Sequence, residues 1–107
     1  MYKNNKAIIA KADDFIELNL KMLNRHGIIT GATGTGKTIT LKVIAETLSS
    51  AGIPTILTDV KGDLSGCTIK GEMNESLNKR LNKLGIEEFD FTSFPVRFWD
   101  VFGKNGH

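Results

Sequence analysis

The stretch "GATGTGKT", Gly31 to Thr38, satisfies the pattern G-x-x-x-x-G-K-[ST]. Residues of these types in this order suit one kind of chemistry, the cradling of a phosphate chain. Gly31, Gly34 and Gly36 allow left-handed or strained backbone and let the main chain approach an anion without a Cβ in the way. The amides of the loop, Ala32 included, can then point inward, and with the first amides of a following helix they form an anion site suited to a β-phosphate. Lys37 is placed to reach the β- and γ-phosphates as a point charge, and Thr38 to offer its hydroxyl to a bridging Mg²⁺. Thr33 and Thr35 are read two ways, as hydrogen-bonding groups within the loop or as merely small residues.

Asp59 ends the apolar run "TILTD" and is the second candidate. One reading makes it the acid that organises Mg²⁺. The other makes it an acid at the C-terminal edge of the strand next in sequence, near the loop without being the main metal partner. The second is favoured, because carboxylates at strand ends in open α/β sheets gather round the ligand crevice whatever their role. No apolar run here ends in paired acids, so no catalytic residue is assigned within the chain.

The elements that must position these groups follow from periodicity. "HGIIT", His26 to Thr30, is a short apolar run that stops at Gly31, the profile of a buried strand feeding a turn. Leu41, Ile44, Ala45, Leu48 and Ala51 recur at helical spacing, and Gly52 followed by Pro54 marks the helix end. "IPTILTDV", Ile53 to Val60, reads as a second buried strand, giving a right-handed βαβ unit with parallel strands. Upstream, "KAIIAK" and the alternating run Phe15 to Met22 predict two strands joined at "ADD". Downstream, Asn74 can cap a helix carrying Leu77, Leu81 and Leu84, which Gly85 ends.

Five of the six Phe and the single Trp fall between Phe89 and Phe102. Such a cluster suggests a core edge or an interface ahead of a base-stacking platform, and Pro95 breaks it into short extended pieces.

The 107 residues, 40% hydrophobic and 24% charged, allow one compact core. A net charge of +2, from scattered basic and acidic residues, is a weak argument for nucleic acid. The single Cys67 forms no internal disulfide, which fits a reducing compartment. The apolar runs are far short of the roughly 20 residues that span a bilayer, and the N-terminus has no signal-peptide pattern. A cytoplasmic location and no membrane partner are therefore expected.

"NRHGIITGATGTGKTITLKVIAETLSSAGIP", followed by "TDVKGDLSG" and "FPVRFWDVFG", resembles the N-terminal part of the helicase HerA-like family, in the HerA–FtsK group of P-loop ATPases. The resemblance runs from about Phe15 onward and includes segments outside the phosphate loop. It implies a RecA-like P-loop NTPase parallel sheet, incomplete here over residues 26–107, so the expected fold is α/β, with the N-terminal β-hairpin read above from the residues themselves occupying residues 1–25. It also implies ATP and Mg²⁺ as ligands, and membership of homo-oligomeric ring ATPases that move or unwind duplex DNA. The family's paired-acid strand, polar sensor strand and arginine finger would then lie beyond His107. The chain ends in "GKNGH" without an obvious cap, so the expectation is an N-terminal portion that exposes an apolar sheet edge and self-associates.

Two other functions compete. A small P-loop kinase needs a lid of Arg residues, and Arg25, Arg80 and Arg97 are too widely spaced to form one. A non-hydrolysing nucleotide-binding or regulatory module needs only the loop. Asn24, Arg25 and His26 could touch a base or a neighbouring subunit, but a polar strand entry is the simpler reading.

Overall fold

The structure, a computed structural model, describes residues 1–104. Asn105 to His107, the end of the "GKNGH" segment, lie outside the described residues. The chain divides into two units, Met1–Leu64 and Ser65–His107.

The first unit is built on three antiparallel strands, β1 (Tyr2–Lys3), β2 (Lys6–Lys11) and β3 (Phe15–Leu18), in the order β1-β2-β3. Asn4 and Asn5 join β1 to β2 with φ of 52° and 61°. Two left-handed residues make a hairpin turn whose twist matches its strands, and asparagine tolerates that conformation better than most residues do. At the "ADD" corner the Ala12 amide donates to the Asp14 carbonyl at 2.9 Å. β2 pairs with β3 from Ala7↔Leu18 to Lys11↔Phe15, with a register shift between Ile8 and Ala10. Strand pairing stops at Leu18, short of the expected Met22. The Asn19 side chain takes the Lys21 amide at 3.1 Å and caps a 3-10 turn over Leu20–Met22, a local bond that competes with the ladder.

Helix α1 (Lys37–Ser50) lies against β1 and β2. Ala7 of β2, with Ala45 and Thr47 of α1, are the buried residues of this unit. The small side chains of Ala7 and Ala45 allow a close approach of helix to sheet. Thr47 can be buried because its hydroxyl donates to the Val43 carbonyl at 2.6 Å and accepts from the Met1 nitrogen at 2.7 Å. Leu41, Ile44 and Leu48 of the expected stripe are only half-buried. α1 ends where the sequence predicts: Gly52 has a φ of 77° and the Ile53 amide donates back to the Leu48 carbonyl at 2.9 Å, closing the last turn.

The parallel RecA-like P-loop sheet expected over residues 26–107 is not what the structure contains. Neither His26–Thr30 nor Ile53–Val60 is a strand, and the sheet present is small and antiparallel. Ile28 is 87% exposed, Ile56 97% and Val60 99%. An apolar run becomes a strand only where a neighbour takes its amides and carbonyls, and a parallel sheet also needs cover on both faces. Among the described residues these runs have neither, so the fold is a three-stranded antiparallel sheet with two helices.

In the second unit a 3-10 turn, Ser65–Thr68, precedes α2 (Glu75–Leu84). Leu81 is buried and Leu77 and Leu84 half-buried, as their spacing predicts. Phe89 and Phe91 meet edge to face at 5.1 Å. The Phe91 ring sits so close to Gly71 that a Cβ there would stand 2.9 Å from it. Phe91 and Phe94 are half-buried, whereas Trp99, Val101 and Phe102 are 76%, 95% and 84% exposed, so the aromatic segment packs in its first half and not its second. No helix among the described residues is long and apolar enough to cross a membrane.

Candidate functional site

The candidate site is the turn that feeds α1. Ala32 to Gly36 form a tight loop in which the Thr35 amide donates to the Ala32 carbonyl at 3.3 Å. Gly34 and Gly36 have φ of 82° and 94°, and a Cβ at either would meet nothing within 4 Å. Glycine is required at these two positions by backbone conformation alone. Gly31 differs, since it is not among the residues of positive φ. A Cβ on Gly31 would stand 2.5 Å from the Thr35 hydroxyl oxygen and 3.6 Å from Cγ of Lys37. The constraint there is the close approach to the Thr35 hydroxyl, the Lys37 distance being ordinary contact, and not the left-handed backbone suggested by the motif.

Gly36 is also the residue from which α1 starts, and no side chain caps that end. The first amides of a helix have no partner within it and carry the positive end of its dipole. Thr40 is turned away from those amides, its hydroxyl donating to the Gly36 carbonyl at 3.2 Å. Lys37 lies at the same end, its Nζ donating to the Ala32 carbonyl at 2.6 Å. Thr38 and Thr33 are exposed. Two left-handed glycines, an uncapped helix start and a lysine thus meet at one point, and all of that charge is positive. The arrangement fits a phosphate group, whose oxygens can take helix amides and an ammonium together. It fits Mg²⁺ less fully: Thr38 presents a hydroxyl, but no group of three or more His, Cys, Asp or Glu able to hold a metal ion exists among the described residues.

The Asp59 carboxylate is occupied with its own loop. One oxygen accepts from the amides of Lys61 at 3.2 Å and Gly62 at 2.8 Å, the other from that of Leu64 at 2.9 Å. The Leu64 amide above all, then those of Gly62, Lys61 and Asp63, hold its pKa below the usual carboxylate value against partial desolvation. "DVKGDL" is therefore a turn built round its first residue, with Gly62 at a φ of 78°.

Asn24, Arg25 and His26 are exposed, and the Arg25 amide donates to the Met22 carbonyl at 3.2 Å. Cys67 is half-buried, with its carbonyl accepting from the Phe94 amide at 3.1 Å. The Arg25 bond does not bring Asn24, Arg25 or His26 to the glycine loop. What the motif does not disclose is the role of the Ala32 carbonyl, which accepts from both Thr35 and Lys37. The spacing of three from Ala32 to Thr35 was the available signal, since threonine hydroxyls often bond the backbone three residues back.

Searches of the curated proteins and of the solved structures found no match. A family model does match, over residues 4–107, and it describes the helicase HerA-like C-terminal region. That description corrects the expected placement of the chain in the N-terminal portion of such proteins: a phosphate-loop pattern early in a sequence carries no information about its position in a longer relative. The match takes in the glycine loop together with "DVKGDLSG" and "FPVRFWDVFG", and on its strength the chain belongs to the helicase HerA-like family.

Proposed function

We propose that the glycine loop holds the phosphates of ATP as its Mg²⁺ complex, and that the chain is the nucleotide-binding part of a HerA-like DNA-translocating ATPase. The observation that carries this reading is the uncapped start of α1, fed by left-handed Gly34 and Gly36 and flanked by Lys37. The amides from Gly34 to Thr38 supply donors, Lys37 supplies charge, and Thr38 supplies a hydroxyl for the metal. Bound Mg²⁺ would neutralise charge that develops on the phosphate oxygens. Duplex DNA and a homo-oligomeric ring belong to the same proposal and rest on family membership; a cytoplasmic setting belongs to it too and rests on the single Cys67 and the sequence pattern.

Titration calorimetry with Mg-ATP tests the loop. Lys37→Ala removes a charge-assisted contact worth about 1.5 to 3 kcal/mol and should weaken binding roughly ten- to a hundredfold. Undiminished affinity would show that the loop is not used this way. A second reading, a module that binds nucleotide without turning it over, is favoured by Asp59, whose carboxylate is engaged by its own backbone. Steady-state ATPase assays with and without duplex DNA separate the two, and DNA-stimulated turnover supports the translocase.

A further inference from the structure

We propose that Thr35 is a positioning residue of the glycine loop: it holds the Ala32 carbonyl in place so that Lys37 is free to leave it for a phosphate. This rests on the phosphate reading above and assigns a role within the same site. The Ala32 oxygen receives three donors, the Thr35 hydroxyl at 2.7 Å, Lys37 Nζ at 2.6 Å and the Thr35 amide at 3.3 Å. A carbonyl has two lone pairs, so the short hydroxyl and ammonium bonds take both and the amide bond is long. When Lys37 turns to an anion, the hydroxyl remains as the one short bond and keeps the Ala32 peptide oriented. Without the hydroxyl, Lys37 would be the carbonyl's only short partner, and binding phosphate would leave the Ala32 carbonyl with the long Thr35 amide bond alone.

The same side chain accounts for Gly31. A Cβ at that position would fall 2.5 Å from the Thr35 oxygen and 3.5 Å from its Cβ. The clash falls first on a rotatable hydroxyl, so a methyl at position 31 would drive Thr35 off the Ala32 carbonyl before it disturbed the backbone. Gly31 and Thr35 therefore act as a pair, and substitutions at the two sites should not be additive.

The test is Mg-ATP titration of the full chain, with circular dichroism to confirm that each variant folds. Thr35→Val, an isostere without the donor, should weaken binding about two- to tenfold, and Thr35→Ser should restore it to within about twofold of the parent. Gly31→Ala should weaken binding, and adding it to Thr35→Ala should cause little further loss. Wild-type affinity in Thr35→Val, equal loss in Thr35→Ser, or fully additive losses at the two positions would overturn the role of Thr35. If Lys37→Ala still loses affinity in that event, the phosphate reading survives. If the parent chain itself does not bind Mg-ATP, both readings fall.

Discussion

The two helices end alike and begin differently. α1 closes at Gly52 with the Ile53 amide on the Leu48 carbonyl, and α2 closes at Gly85 with the Ile86 amide on the Leu81 carbonyl at 3.0 Å. At the start of α2, Asn74 is extended and its side chain accepts the Leu77 amide at 2.8 Å. Glu75 adds a negative charge to that first turn and pairs with Lys79 at 2.8 Å. α1 has none of this: it begins at a left-handed glycine with no side-chain cap and no acid in its first turn. Its opening residues include β-branched Thr38, Ile39 and Thr40, which are poor helix formers. α2 thus carries a side-chain cap and an acid of its own, whereas α1 starts with neither and with Lys37 beside it, the contrast on which the proposed phosphate site rests.

The largest effect that separates the two helices should come from adding nucleotide. At a ligand concentration one hundred times Kd, binding stabilises the bound form by about 2.7 kcal/mol, which corresponds to roughly hundredfold slower exchange of amides that open only in the free form. Hydrogen exchange should show that slowing at Lys37 to Thr40 and none at Leu77. Equal protection of the α1 amides with and without Mg-ATP would break the contrast. The same slowing at Leu77 would show that the response is not confined to the open helix.

A smaller effect should come from making α2 resemble α1. Asn74→Ala removes the cap and should cost about 1 kcal/mol in the stability of that helix, read as faster exchange of the amides from Leu77 onward. Mg-ATP should not restore it, because neither the sequence nor the charge of the α2 turn suits a phosphate. A variant as stable as the parent would mean that Leu81 burial alone holds α2, and the caps would then say little about either helix.

α2 was legible in the sequence because everything that defines it is local: a capping Asn74, leucines at helical spacing and Gly85 in the left-handed position. The β2–β3 corner was legible for the same reason, while β1 was missed although Asn4-Asn5 is a good left-handed turn. The expected parallel strands failed because pairing is not local. "HGIIT" and "IPTILTDV" read as buried strands by composition, yet Ile28, Ile56 and Val60 are exposed, and among the described residues neither run is paired into a sheet. At the candidate site the left-handed backbone expected of the loop glycines is present at Gly34 and Gly36 and absent at Gly31, since a regular pattern of glycines cannot distinguish a positive φ from space beside the Thr35 hydroxyl. Asp59 was read through its place after an apolar run. What its carboxylate does depends on the amides that follow it in "VKGDL", a segment that carries the family resemblance but whose residue types do not disclose which backbone groups turn back to Asp59.

Asp59 supplies a third kind of backbone satisfaction, a carboxylate that collects the amides of its own loop, and pH is the means of breaking it with the least disturbance elsewhere. Its folded pKa lies below the unfolded value of about 3.9. A carboxylate shifted in this direction contributes stability that is fully present above the unfolded pKa and is lost as pH falls through the folded one. The Gly62 and Leu64 amides should therefore stay protected at neutral pH and loosen only on acidification from about pH 4 downward. The group is exposed, so the change should be confined to the turn and leave α1 in place. Amide chemical shifts followed across that range check it, and Asp59→Asn should flatten the profile by removing the titration while keeping an acceptor. A parent profile already flat to well below pH 4 would mean that the turn is held by Gly62 and its backbone conformation and not by the charge. The distinction between amides that the chain satisfies for itself and amides that it leaves for a ligand would then rest on Asn74 and α1 alone.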